Sequence, residues 1–190
     1  VDITITATSQ STMDTVYGTL SIYIFADVPL YWDNGTGLMD WEFTSLWHPV
    51  TDFTVIDGVP YTGYYYGTDA YTYDTGASNN GSMTSYVFYS PDTVELTLEH
   101  WYDTEEYFDV CRIEYSTDFG ATWVVVDEFY GSSGGLVWET YTLPSGFMMI
   151  RFNFSCDGTV FGTGWFINNV EVSGASGSPL YVYPRFTWDV

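Results

Sequence analysis

Residues 96–129 read LTLEHWYDTEEYFDVCRIEYSTDFGATWVVVDEF, and their periodicity decides the fold. In the first part Leu96 and Leu98 alternate with Thr97 and Glu99. In the second, Cys111, Ile113 and Tyr115 alternate with Arg112 and Glu114. A strand turns successive side chains to opposite faces, so alternation of apolar and polar residues predicts half-buried strands. A third run, ATWVVVDEF, is β-branched and aromatic, as strands are. Asp, Gly, Thr and Ser separate the runs.

The pattern continues in both directions. Ile3 and Ile5 alternate with threonines in DITITAT, Leu20, Ile22 and Ile24 alternate further on, and FMMIRFNFS and GWFINNVEVS follow the quoted stretch. No segment carries a helical period of useful length. Short strands at this spacing predict an all-β protein, a jelly-roll β-sandwich with extra terminal strands. Three parts are expected: an N-terminal strand extension over 1–26, the jelly-roll domain over 27–173, and a linker with a C-terminal strand over 174–190. The linker reads Gly-Ala-Ser-Gly-Ser at 174–178.

Composition narrows the function. The 190 residues carry 25 Asp and Glu against three arginines and no lysine, a net charge of −22. Such a surface repels phosphate, which excludes nucleic acid as a partner and disfavours anionic membranes. It suits a very soluble particle or one that collects cations. No apolar run is long enough to span a membrane as a helix. The chain opens at Val1 directly in a strand-like pattern, as expected of the mature form of a processed, secreted protein. Asn34, Asn80 and Asn153 head glycosylation triplets.

Residues 57–85 are rich in Gly, Tyr, Asp and Thr and read as long loops with short strands. Tyr64, Tyr65, Tyr66, Tyr71 and Tyr73 are the candidate binding rings, because exposed tyrosines stack on sugars or form protein interfaces. The alternative is that they cover the sheet.

Three stretches carry a family resemblance: YYYGTDAYTYDTGASNNGSMTS, LTLEHWYDTEEYFDVCRIEYSTDFGATW and MMIRFNFSCDGTVFGTGWFINNVEV. In this order they resemble the MAM-like jelly-roll domains of secreted prokaryotic surface proteins, such as those appended to immune-inhibitor-A-type metallopeptidases. The resemblance spans about Tyr31 to Ser173. Within it, EYSTDFGATW implies a strand, a tight turn at Asp118–Gly120 and a return strand near Trp123. The family implies an extracellular β-sandwich with ligand-binding or adhesive roles, no active site of its own, and often a structural calcium ion. In related jelly rolls that ion sits where an early acidic loop meets the last strand, which maps to Asp33 and Asn168. An acid is usual at the second position, so Asn168 departs from the pattern. Asp103 and Asp109 are further candidate ligands, oxygen donors being what calcium takes.

Other chemistry is thin. His48 and His100 have no second His or Cys at ligand spacing, so zinc is not expected, and His100 reads as a packed sheet residue. There is no Gly-x-Ser-x-Gly elbow and no His-Glu-x-x-His. Glu105 and Glu106 are the one acidic pair with aromatic walls, and a glycosidase pair is the catalytic alternative there. The structural expectation is an ion pair of Arg151, which lies in an apolar strand, with Glu105 or Asp109. Cys111 and Cys156 share the phase of apolar neighbours, which leaves open a core disulfide or two buried thiols.

Two roles follow. One is a non-enzymatic filament or sheath subunit that self-associates by strand addition through Ile3 and Ile5. The other is a carbohydrate-binding or adhesion module with a glycan ligand.

Overall fold

A computed structural model describes residues 6–8, 15–17, 30–33, 41–175 and 180–182. Its strands in chain order are β1 (Thr6–Thr8), β2 (Thr15–Tyr17), β3 (Leu30–Asp33), β4 (Glu42–Phe43), β5 (Trp47–Phe53), β6 (Tyr61–Tyr66), β7 (Asn80–Thr84), β8 (Phe88–Ser90), β9 (Val94–Asp103), β10 (Val110–Ser116), β11 (Val124–Phe129), β12 (Val137–Leu143), β13 (Gly146–Ser155), β14 (Gly164–Gly174) and β15 (Tyr181–Val182). No α-helix occurs among the described residues.

Two antiparallel sheets face each other in a jelly-roll β-sandwich. One runs β11-β10-β13-β7-β4, with β8 continuing along β13 beyond β7 and β15 pairing β8. The other runs β12-β9-β14-β6-β5, with β3 pairing the later part of β14. β1 and β2 form a separate two-stranded sheet. Leu180, just before β15, is buried in the main core.

The alternation in the quoted stretch sets the core. Val94, Leu96, Leu98 and His100 of β9 point inward, opposite Cys111 and Ile113 of β10 and Ile150, Phe152 and Phe154 of β13. A second, smaller core lies on the outer side of the β9 sheet. There Phe53, Tyr65, Trp101 and Phe166 pack together under Ile56, Tyr61 and Leu136. Phe53 and Phe166 stack at 4.4 Å. Gly63 makes this approach feasible, since a Cβ there would stand 2.2 Å from the Ile167 carbonyl oxygen.

β14 changes phase in mid-strand. Trp165 and Ile167 face the main core, then Val170 and Val172 do so, because a bulge sets Asn168 and Asn169 together opposite Glu99. The Glu99 carboxylate accepts hydrogen bonds from both side-chain amides. The β10–β11 turn falls at the expected place. Ser116 Oγ accepts the Asp118 and Gly120 N–H groups, and Asp118 accepts both the N–H and the hydroxyl of Thr122. The Thr122 bonds hold the Asp118 carboxyl at about 2.

Three expectations are corrected here. Arg151 pairs with Glu114 at 2.6 Å, not with Glu105 or Asp109. It faces outward from β13, the register sets Glu114 directly across from it, and its guanidinium lies 4.0 Å over the Trp123 ring. Glu105 and Asp109 precede the other end of β10. Cys111 and Cys156 are free buried thiols. Cys111 lies across from Phe154, two residues before Cys156. Diagonal neighbours of that kind sit about 7–8 Å apart, beyond ordinary disulfide reach. Third, Tyr64, Tyr65 and Tyr66 form β6 and are core residues, as is Tyr73.

Ile3, Ile5 and Asn34 lie outside the described residues. Asn80 is exposed at the start of β7, and Asn153 sits in mid-sheet between Arg112 and Ser82.

Candidate functional site

The candidate site is built on the loops at one end of the sandwich. Residues 104–109 link β9 to β10, 130–136 link β11 to β12, and 156–163 link β13 to β14. The first two loops are cross-bonded. Thr104 N–H donates to the Gly131 carbonyl at 2.7 Å, and Gly131 N–H donates to Thr104 Oγ1 at 3.0 Å. Asp103 and Ser132 form a β-bridge just below. Glu105 O accepts the Asp109 N–H and closes the first loop.

This scaffold raises aromatic rings into solvent. Tyr107 is 68% exposed, Phe108 61% and Tyr130 41%. The Tyr107 and Tyr130 rings meet across the two loops, with centroids 4.8 Å apart and planes inclined by 46°. Tyr107 holds a φ of 71°, a left-handed conformation that costs a side-chain-bearing residue about 1 kcal/mol. Tyr107 thus presents a large exposed ring from strained backbone, on loops fixed to each other by hydrogen bonds.

Tyr73, expected to bind, supports the loop from beneath. Its hydroxyl donates to Asp109 Oδ2 at 2.5 Å and accepts the Glu105 N–H at 3.2 Å. Burial and the Asp109 carboxylate push its phenol well above the ordinary tyrosine range. Asp109, fully buried, also accepts the Asp157 N–H at 3.0 Å. Of the tyrosines expected to bind, only Tyr71 keeps an exposed ring, and it packs on Phe53 and Tyr65.

The end is strongly acidic. Carboxylate oxygens of Glu105, Asp109 and Asp157 lie within 4.8 Å of one another. Glu106 is exposed beside Tyr107, whose phenol it raises by hydrogen bonding. No Lys, Arg or His occurs in these three loops. The nearby Arg112 is engaged by Glu128 at 2.6 Å and by Ser155.

Three of the four expected calcium ligands have protein partners among the described residues. Asp103 accepts the Thr163 N–H, Asp109 is held by Tyr73 and Asp157, and Asn168 is bound to Glu99. Asp33 lies across from Val170, on the β14 side of the bulge. The hard oxygen donors that do converge are Glu105, Asp109 and Asp157, three carboxylates toward the roughly six to eight oxygens calcium takes.

His48 Nδ1 lies 2.9 Å from the Leu46 carbonyl, and His100 is sealed in the core.

The chain matches no protein-family model and no curated protein. Among solved structures it is similar to the K1 cleaved adhesin domain of Lys-gingipain from Porphyromonas gingivalis W83. That likeness has 12% identity and a TM-score of 0.54, and it covers 77% of this chain and 99% of that one. It establishes the β-sandwich. Looser likenesses include TmCBM61 in complex with beta-1,4-galactotriose (10% identity, TM-score 0.47, covering 71% and 88%). Another is a CBM35 from Paenibacillus barcinonensis (18% identity, TM-score 0.41, covering 77% and 98%). No described helix is long and apolar enough to cross a membrane.

Proposed function

We propose that this chain is an extracellular, non-enzymatic carbohydrate-binding or adhesion module whose glycan platform is the Tyr107–Tyr130 pair. The carrying observation is that two exposed rings from two loops pack against each other while the loops themselves are cross-bonded. Preorganised rings lose little freedom on binding, and stacking on a pyranose face is what such surfaces do well. The carboxylates of Glu105 and Glu106 stand ready to accept sugar hydroxyls. The β-sandwich shared with the Lys-gingipain adhesin domain fits this reading, as does the sequence resemblance to the MAM-like domains.

A filament subunit is the second role read from the sequence. Thr6–Thr8, in the segment read as a donor strand, already pair with Thr15–Tyr17 in their own chain. The binding role is therefore preferred. The non-enzymatic reading rests on the two histidines: His100 is sealed in the core with its Nδ1 taken by the Trp165 indole, and His48 Nδ1 lies against the Leu46 carbonyl.

Affinity electrophoresis against a panel of neutral and charged polysaccharides tests the proposal. At least one retards the protein, and Tyr107→Ala and Tyr130→Ala each weaken that interaction about tenfold or more without lowering the melting temperature. Retardation by none, or variants that bind like wild type, refutes it.

Calcium belongs to this proposal at Glu105, Asp109 and Asp157. Calorimetry on chelator-treated protein shows a rise in melting temperature on adding calcium that Asp157→Asn removes. No rise refutes the ion.

A further inference from the structure

Resting on the glycan-platform reading, we infer that the site selects glycans bearing free, protonated amines, namely 2-amino-2-deoxy sugars without N-acetylation, over neutral and acidic ones. The rings define where the ligand lies, and the charges around them define which ligand is retained.

Tyr107 and Tyr130 offer π faces, and an aromatic face attracts an ammonium group within about 6 Å of its centroid. Glu106 stands beside the Tyr107 phenol, and its side chain reaches toward Gly131, the residue that follows Tyr130: a Cβ there would meet Glu106 Cγ at 3.8 Å. The Glu106 side chain therefore touches both the Tyr107 phenol and the loop that carries Tyr130. Glu105 is half-buried at the start of the same loop, and its Oε2 lies 3.4 Å from the Thr159 hydroxyl. No cationic side chain belongs to any of the three loops, and Arg112 is occupied by Glu128.

A uronate or sulfate laid on these rings meets like charge with no counter-ion from the protein. A neutral sugar stacks on the rings and donates hydroxyls to the carboxylates, but it gains no charge attraction. A sugar ammonium has three donors and a positive charge, so it makes charge-assisted bonds to Glu105 or Glu106 while its ring stacks on tyrosine. N-acetylation removes the charge and two of the donors, and the advantage with them.

The test is isothermal titration of the chelator-treated protein with hexamers of glucosamine, N-acetylglucosamine and galacturonic acid. It is run at about pH 5.5, where free aliphatic amines carry a proton. Two salt levels, about 20 mM and about 0.5 M, separate charge from stacking. At low salt the glucosamine hexamer binds about tenfold or more tighter than its N-acetylated form, and the galacturonate hexamer binds weakest. High salt shrinks the ratio. Glu106→Gln and Glu105→Gln shrink it as well, while Glu95→Gln, at the far end of β9, leaves it unchanged. Tyr107→Ala weakens both amino-sugar oligomers. Equal affinity for the two, tighter binding of galacturonate, or a Glu95→Gln effect as large as that of Glu106→Gln overturns the selectivity and leaves the platform standing. Failure of Tyr107→Ala to weaken any bound oligomer, or binding of none, overturns the platform and the selectivity together.

Discussion

Lowering the pH from 7 to 5 should remove a definite share of stability through one side chain, His100. It is fully buried in β9, and its Nδ1 accepts the indole N–H of Trp165 at 3.0 Å. The ring proton therefore sits on Nε2, which has no hydrogen-bond partner. Charging the ring would desolvate a cation and set a proton on Nδ1 against the Trp165 donor. Burial accordingly lowers the group to about 4, against a small opposing pull from Asp127. The ordinary value for the unfolded chain is about 6.5. Because the folded value is depressed, its contribution is complete above about pH 6.5 and fades as pH falls toward the folded value. The gap of about 2.5 units corresponds to about 3 kcal/mol in the limit, and about 2 kcal/mol is lost by pH 5. Denaturant unfolding of wild type and His100→Gln at both pH values measures this. The carboxylates titrate alike in the two proteins and cancel in the difference, so wild type should lose about 2 kcal/mol more than the variant. Imidazole NMR titration of the native protein gives the same answer without a variant. A difference that does not change with pH, or a ring titrating near its ordinary value in the native state, refutes the reasoning.

Three other outcomes follow. Arg151→Met strips the partner from the buried Glu114 carboxylate, so it should cost about 2–3 kcal/mol in denaturant unfolding, and adding Glu114→Gln should recover much of it. The two thiols are free, and burial raises both, so a disulfide-exchange reagent should react with Cys111 only as the protein unfolds, and reductant should leave the melting temperature unchanged. Tyr107→Gly should keep or slightly raise stability, by up to about 1 kcal/mol, because glycine adopts the φ of 71° freely, while glycan retention is lost.

The sandwich was legible because period-two alternation runs through most of β9, β10 and β13, and each inward residue of LTLEH and VCRI lands in the core. Alternation cannot see a bulge. GWFINNVEV reads equally well in either phase until Asn168 and Asn169 are found sharing one partner residue, and that extra residue is what hands the core from Ile167 to Val170. The site was misread for a related reason. YTGYYY carries tyrosine on both faces of β6, and both faces of that sheet are covered at this point, one by the main core and one by the outer cluster around Phe53. Composition alone cannot tell a doubly covered strand from an exposed loop. TEEYFD held the better signal. Three acids among two aromatics break the alternation between β9 and β10, so those rings have no strand face on which to hide. What the sequence could not show is that Tyr130, more than twenty residues later, would arrive beside Tyr107 through the Thr104–Gly131 bonds. The platform is a tertiary object: each loop contributes one ring, and register between β9 and the β11–β12 connection brings them together. A change in that connection, such as loss of Gly131 at its φ of 74°, should therefore separate the rings without touching either one.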